Sequence, residues 1–97
     1  MPTYVSLINW TDQGVKNYRD TLARAETFRE LTHKAGGQVR ELLWTLGEYD
    51  VVAVIEAPDD EAAMALMLET AGYGNIRTQT MRAMGPDEVT SVIGRMS

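Results

Sequence analysis

Three adjacent stretches in the middle of the chain decide its fold: Val39-Arg40-Glu41-Leu42-Leu43-Trp44-Thr45-Leu46, then Gly47-Glu48-Tyr49-Asp50, then Val51-Val52-Ala53-Val54-Ile55-Glu56-Ala57. The outer two are rich in large and β-branched apolar residues, and the four residues between them hold a glycine and a turn-favouring aspartate. This pattern predicts a β-hairpin. Outward toward the N-terminus, Tyr4 to Trp10 reads as a further strand, and Thr11-Asp12 supplies a capping hydroxyl and an acid for the start of a helix. That helix carries apolar residues at Val15, Tyr18, Leu22, Ala25, Phe28 and Leu31, close to a 3.6 period, and ends at Gly36-Gly37. Its weak point is Asp20-Thr21, where a second cap can interrupt it.

Toward the C-terminus, Pro58-Asp59-Asp60-Glu61 opens a second helix with its acids in the first turn. Gly72 and Gly74 close it before a fourth strand from Ile76 to Met84. Gly85-Pro86-Asp87-Glu88 then starts a short terminal helix with Val89, Val92, Ile93 and Met96 on one face. The order β-α-β-β-α-β, followed by a helix, predicts a single α+β domain of ferredoxin-like topology. Its sheet is expected to be antiparallel, with the first and third strands central and both helices on one face.

The opposite face of that sheet is the informative one. Val51-Val52-Ala53-Val54-Ile55 is apolar on both sides, and Tyr4, Ile8 and Trp10 oppose Val5 and Leu7, whereas a half-exposed strand alternates apolar with polar. Ala62 to Leu68 carries no charge for nearly two turns, so more than one side of the second helix is expected to be buried. A chain of 97 residues has a thin core, removing about 60–65% of its unfolded surface from water. The expected cover is another copy, sheet against sheet, giving a homo-oligomer that is a dimer or a multiple of dimers.

Composition narrows the function classes. The net charge is −5 with no Lys/Arg stripe, which argues against nucleic acid as a partner, and cysteine is absent, which excludes disulfides and thiolate chemistry. No stretch approaches the apolar length of a bilayer span and no leader-like N-terminus is evident, so a cytoplasmic, non-membrane protein is expected.

The segment Tyr4-Val5-Ser6-Leu7-Ile8-Asn9-Trp10-Thr11-Asp12-Gln13-Gly14, together with Gly47-Glu48-Tyr49-Asp50 and Val51-Val52-Ala53-Val54, resembles the small bacterial and archaeal GYD-domain proteins. Glu56-Ala57-Pro58-Asp59-Asp60-Glu61-Ala62 and Asn75-Ile76-Arg77-Thr78 are similar to that family as well. The resemblance implies that residues 1–97 form one GYD-type domain of the dimeric α+β barrel type. Its Gly-x-Tyr-Asp turn is also similar to one in the ligand-binding domains of leucine-responsive transcriptional regulators, here without a DNA-binding helix-turn-helix. It implies a fold and supplies no activity.

Candidate ligand-binding residues are Asn9, Trp10, Trp44, Tyr49, Asp50 and Arg77. Trp10 and Trp44 are suited to form aromatic walls for a small apolar or aromatic ligand, with Asn9 and Arg77 as polar anchors, or else to fill core and interface. Tyr49 and Asp50 offer a hydroxyl and a carboxylate at the hairpin, or act as turn residues that bond nearby backbone. His33 reads as a solvent-exposed helix residue, and Asp59-Asp60-Glu61 as acids on a helix dipole rather than a metal site. Met64 and Met67 suit an adaptable partner surface, or else burial under the terminal helix or in a larger assembly. Gly72-Tyr73-Gly74 is too short for a phosphate loop, and no cofactor is expected. No catalytic residue is identified. The favoured function is a non-enzymatic small-molecule binding or assembly module. The alternative is a cofactor-free enzyme, monooxygenase- or isomerase-like, which needs an enclosed pocket of about 300 Å³ or more.

Overall fold

Along the first strand, β1 (Thr3–Trp10), Tyr4, Ser6 and Ile8 are buried while Val5 and Leu7 are only half-buried, so the strand's period of two separates a core face from a second face. In the computed structural model, which describes residues 1–96, β1 is followed by α1 (Asp12–Lys16), a 3-10 turn (Tyr18–Asp20) and α2 (Thr21–Lys34). Then come β2 (Gln38–Trp44), β3 (Val51–Glu56), α3 (Asp60–Gly72), β4 (Ile76–Ala83) and α4 (Pro86–Gly94). The four strands form one antiparallel sheet in the order β2-β3-β1-β4, as the ferredoxin-like reading expects.

The dimeric α+β barrel type is corrected by this sheet. It is open: β2 and β4 are its two edges and do not pair, so four short strands end in unsatisfied margins rather than closing on one another. The β2 edge is interrupted at Arg40, where the pairing register with β3 shifts between Val39 and Glu41, and the Arg40 guanidinium lies 2.9 Å from the Glu56 carboxylate. Gln38 and Arg40 both donate to Glu56 and hold its carboxyl below the usual range, the Gln38 hydrogen bond contributing most.

The core lies between the sheet and the helices and is built from Tyr4, Ile8, Val51, Ala53 and Ile55 of the strands against Phe28 of α2 and Ala63, Leu66 and Met67 of α3. Small residues at Ala53, Ala57 and Ala63 let the layers approach closely. The buried polar side chains Ser6 and Thr32 are satisfied: Ser6 shares a 2.8 Å hydrogen bond with Thr80, and Thr32 donates to the Phe28 carbonyl one turn back.

Two helical readings need adjustment. The first helix breaks at Asn17–Asp20, so the inward stripe of α2 runs through Thr21, Arg24, Ala25, Phe28 and Thr32, while Leu22, at 69% exposed, points outward. In α3 one side alone is buried within the chain, and Met64 and Leu68 face away. Asp59 caps α3 by accepting the Ala62 N–H at 2.8 Å, and Asp60 in its first turn accepts the hydroxyl of Tyr4. The apolar residues Val89, Val92 and Ile93 of α4, and Met96 just beyond it, are all exposed.

Candidate functional site

At one end of the sheet the two long helices leave the strands uncovered, and a cleft of about 470 Å³ opens there. Its floor is the core face of the sheet: Ile8 and Trp10 of β1, Leu42 and Trp44 of β2, Val51 of β3 and Ile76 of β4. One wall is the inward stripe of α2, with Arg24, Ala25, Phe28 and Leu31; the other is the C-terminal end of α3 and the turn after it, with Thr70, Tyr73 and Asn75.

The polar atoms around this cleft are fixed by local structure. The Trp44 indole N–H donates to the Thr21 hydroxyl at 2.9 Å, linking the end of the edge strand to the first residue of α2. The Arg24 guanidinium donates to the Asn17 carbonyl at 2.9 Å and to the Gly14 carbonyl at 3.2 Å, stapling α2 to the end of the broken first helix. Thr11 caps α1 by accepting the Gly14 N–H and donates in turn to the Gly74 carbonyl, so the turn after α3 is held against the start of α1.

The candidate residues divide between the two faces of the sheet. Trp10 and Trp44 share the cleft. Asn9 and Arg77 are cross-strand partners on the opposite face, so they do not serve as anchors for the indoles. Tyr49 lies with them, its hydroxyl donating to the Gln79 side chain at 3.2 Å across the width of β1. Asp50 joins the two groups: its backbone N–H donates to the Ile8 carbonyl and its carboxylate accepts the Trp10 backbone N–H, each at 2.9 Å. Gly47 holds φ at +103°, the left-handed value that the tip of this turn requires.

Residues 4–93 match the GYD domain family. The chain belongs to the GYD family. Over 97 residues it is 33% identical to the "glutamine synthetase and cystathionine beta-lyase binding protein" of Thermus thermophilus, covering 99% of each chain. Among solved structures the fold is similar to a feast or famine regulatory protein of M. tuberculosis complexed with L-methionine, with a TM-score of 0.66 at 19% identity. That likeness covers 88% of this chain and 51% of the other, so the GYD domain spans about half of the regulator. A second solved structure, of the Thermus thermophilus protein TTHA0845, is similar as well, with a TM-score of 0.56 at 23% identity over 88% of this chain and 95% of that one.

Within the GYD domain, sequence reasoning missed Thr21, Arg24 and Asn75 as cleft residues. A signal for Arg24 was present. It stands three residues after the cap-prone Thr21 and four before Phe28, so once the helix is restarted at Thr21, Arg24 falls on the inward stripe. Asn75 reaches the cleft through the close packing of α1 on the turn after α3, where the Thr11 N–H donates to the Asn75 carbonyl, a long-range contact without a local signature. His33 is exposed on α2, and among the described residues no helix is long and apolar enough to cross a membrane.

Proposed function

We propose that this GYD domain is a non-enzymatic binding module that holds a small, largely apolar molecule in the cleft between α2 and the sheet and works through contacts with other protein chains. The observation that carries the reading is the cleft itself: its volume of about 470 Å³ is that of a small-molecule site, and its floor combines two indoles with four aliphatic side chains. Apolar side chains left beside such a space gain from a ligand that takes their surface out of water.

The partner half of the reading is supported by surfaces the chain does not cover. Val5, Leu7, Val52 and Val54 are half-buried on the second sheet face, flanked by Leu43 at 54% and Met81 at 41% exposed. Together with the apolar side of α4 they offer a surface for a second copy or for a partner protein. The Thermus relative is named for binding two enzymes, and a GYD domain that docks on enzymes fits that name without needing chemistry of its own. For the cofactor-free enzyme, the cleft supplies hydroxyls, an amide and a guanidinium, but among the described residues no carboxylate or imidazole side chain lines it to take a proton.

Native mass spectrometry of gently purified protein tests the proposal. A discrete small-molecule adduct that disappears in Trp44→Ala supports it. An adduct that survives that substitution places the site elsewhere.

A further inference from the structure

We infer that the molecule taken by this cleft is a monocarboxylic acid with an apolar or aromatic body, its carboxylate set on Arg24. The assignment rests on the cleft being the ligand site, and it comes from how charge is distributed there. The chain carries 14 Asp and Glu against 9 Lys and Arg, yet among the described residues the one charged side chain lining the cleft is a cation, Arg24.

That cation is oriented but not neutralised. Its two terminal nitrogens are held by the carbonyls of Asn17 and Gly14, which fix the plane of the guanidinium while contributing no negative charge. No carboxylate pairs with Arg24 among the described residues; the ion pairs are Arg40–Glu56 and Arg82–Asp60. A guanidinium has five N–H donors and these contacts use two, which leaves three to meet the oxygens of a carboxylate. Around it the floor is aliphatic and indole, which suits a hydrocarbon or ring and lowers the local dielectric, strengthening a charge-assisted hydrogen bond.

The same distribution disfavours a zwitterion. Among the described residues no acidic side chain lines the cleft, so an α-ammonium group would be desolvated beside Arg24 without a counter-charge. A phosphate dianion is equally mismatched, with a single cation to receive it.

Calorimetric titration of the full chain with three probes tests the assignment: 3-phenylpropanoate, its neutral amide 3-phenylpropanamide, and L-phenylalanine, which adds only the α-ammonium. The acid is expected to bind at least about tenfold more tightly than either of the others. Arg24→Gln is expected to bring acid and amide to within about twofold of each other, and Arg24→Lys to keep part of the preference. Equal binding of acid and amide to the wild-type chain overturns the carboxylate assignment and leaves the cleft as a neutral-ligand site. Failure of all three probes to bind overturns the assignment together with the cleft reading. The wild-type comparison decides the matter even if Arg24→Gln fails to fold.

Discussion

The carboxylate of Asp50 accepts the backbone N–H of Trp10 at 2.9 Å, tying the last residue of the β2–β3 turn to the end of β1 at the residue whose indole floors the cleft. The family's characteristic turn therefore acts on the cleft from behind, through the backbone, while its tyrosine lies over the opposite face of the sheet. Asp50→Ala leaves a half-buried N–H without its partner and is expected to cost about 1–3 kcal/mol. A thermal melt of Asp50→Ala beside Asp50→Asn, which retains an acceptor oxygen, checks this: the asparagine variant should recover part of the loss. Equal melting of wild type and Asp50→Ala would remove the anchoring role.

Gly14 sits where α1 meets the turn after α3, and a Cβ there would lie 2.0 Å from the Asn75 carbonyl oxygen. Both groups are backbone, so relief requires the helix to move. Gly14→Ala is expected to destabilise by about 1–3 kcal/mol or more, whereas Gly72→Ala, with nothing within 4 Å of the added carbon, should be near neutral. Chemical denaturation of the two variants provides the comparison.

Tyr4 gives the fold a pH dependence in the alkaline range. Burial, helped by its hydrogen bond to Asp60 and opposed by Arg82, pushes its hydroxyl from 10.0 up to about 12. In the unfolded chain the phenol ionises near pH 10 while in the folded chain it stays protonated, so its contribution is intact below pH 10 and is lost as pH rises toward 12. The melting temperature of the wild type is expected to fall faster across that window than that of Tyr4→Phe. The phenylalanine variant itself should cost about 1 kcal/mol at neutral pH for the lost hydrogen bond.

Val54 faces away from the helices, between Val5 on β1 and Glu41 on β2. Val54→Glu should therefore change the stability of the single domain by about 1 kcal/mol or less, yet prevent any assembly that uses this face. Light scattering coupled to size exclusion reads the mass directly. An assembled wild type whose mass is unchanged by the substitution would mean that partners dock elsewhere.

The strands and helices were legible because each follows from a period-two or near-3.6 pattern and from capping residues at the joints, and the strand order because the β-α-β-β-α-β succession places the first and third strands centrally. The barrel was not legible in the same sense: it came from the likeness to a group of folds, and the strand pairing of β2 and β4 leaves both as edges. The Trp10–Trp44 pairing was readable because both strands end at the same margin of the sheet. Placing Asn9 and Arg77 beside them was an error of one residue in phase, since each is adjacent in sequence to a cleft residue, Trp10 and Ile76, and adjacent strand residues point to opposite faces. Arg24 was hidden by a stripe counted through the break at Asn17–Asp20, where the 3-10 turn rotates the following helix.

The central claim is that the cleft under α2 is where a small molecule binds, and the chain's two tryptophans make it directly measurable. In a proton–nitrogen correlation spectrum the indole N–H signals of Trp10 and Trp44 are expected to shift saturably as 3-phenylpropanoate is added, while in a proton–carbon correlation spectrum the methyl signals of Val52, Val54 and Met81 on the far face of the sheet stay in place. Saturable shifts of those methyl groups with both indole signals unmoved would contradict it.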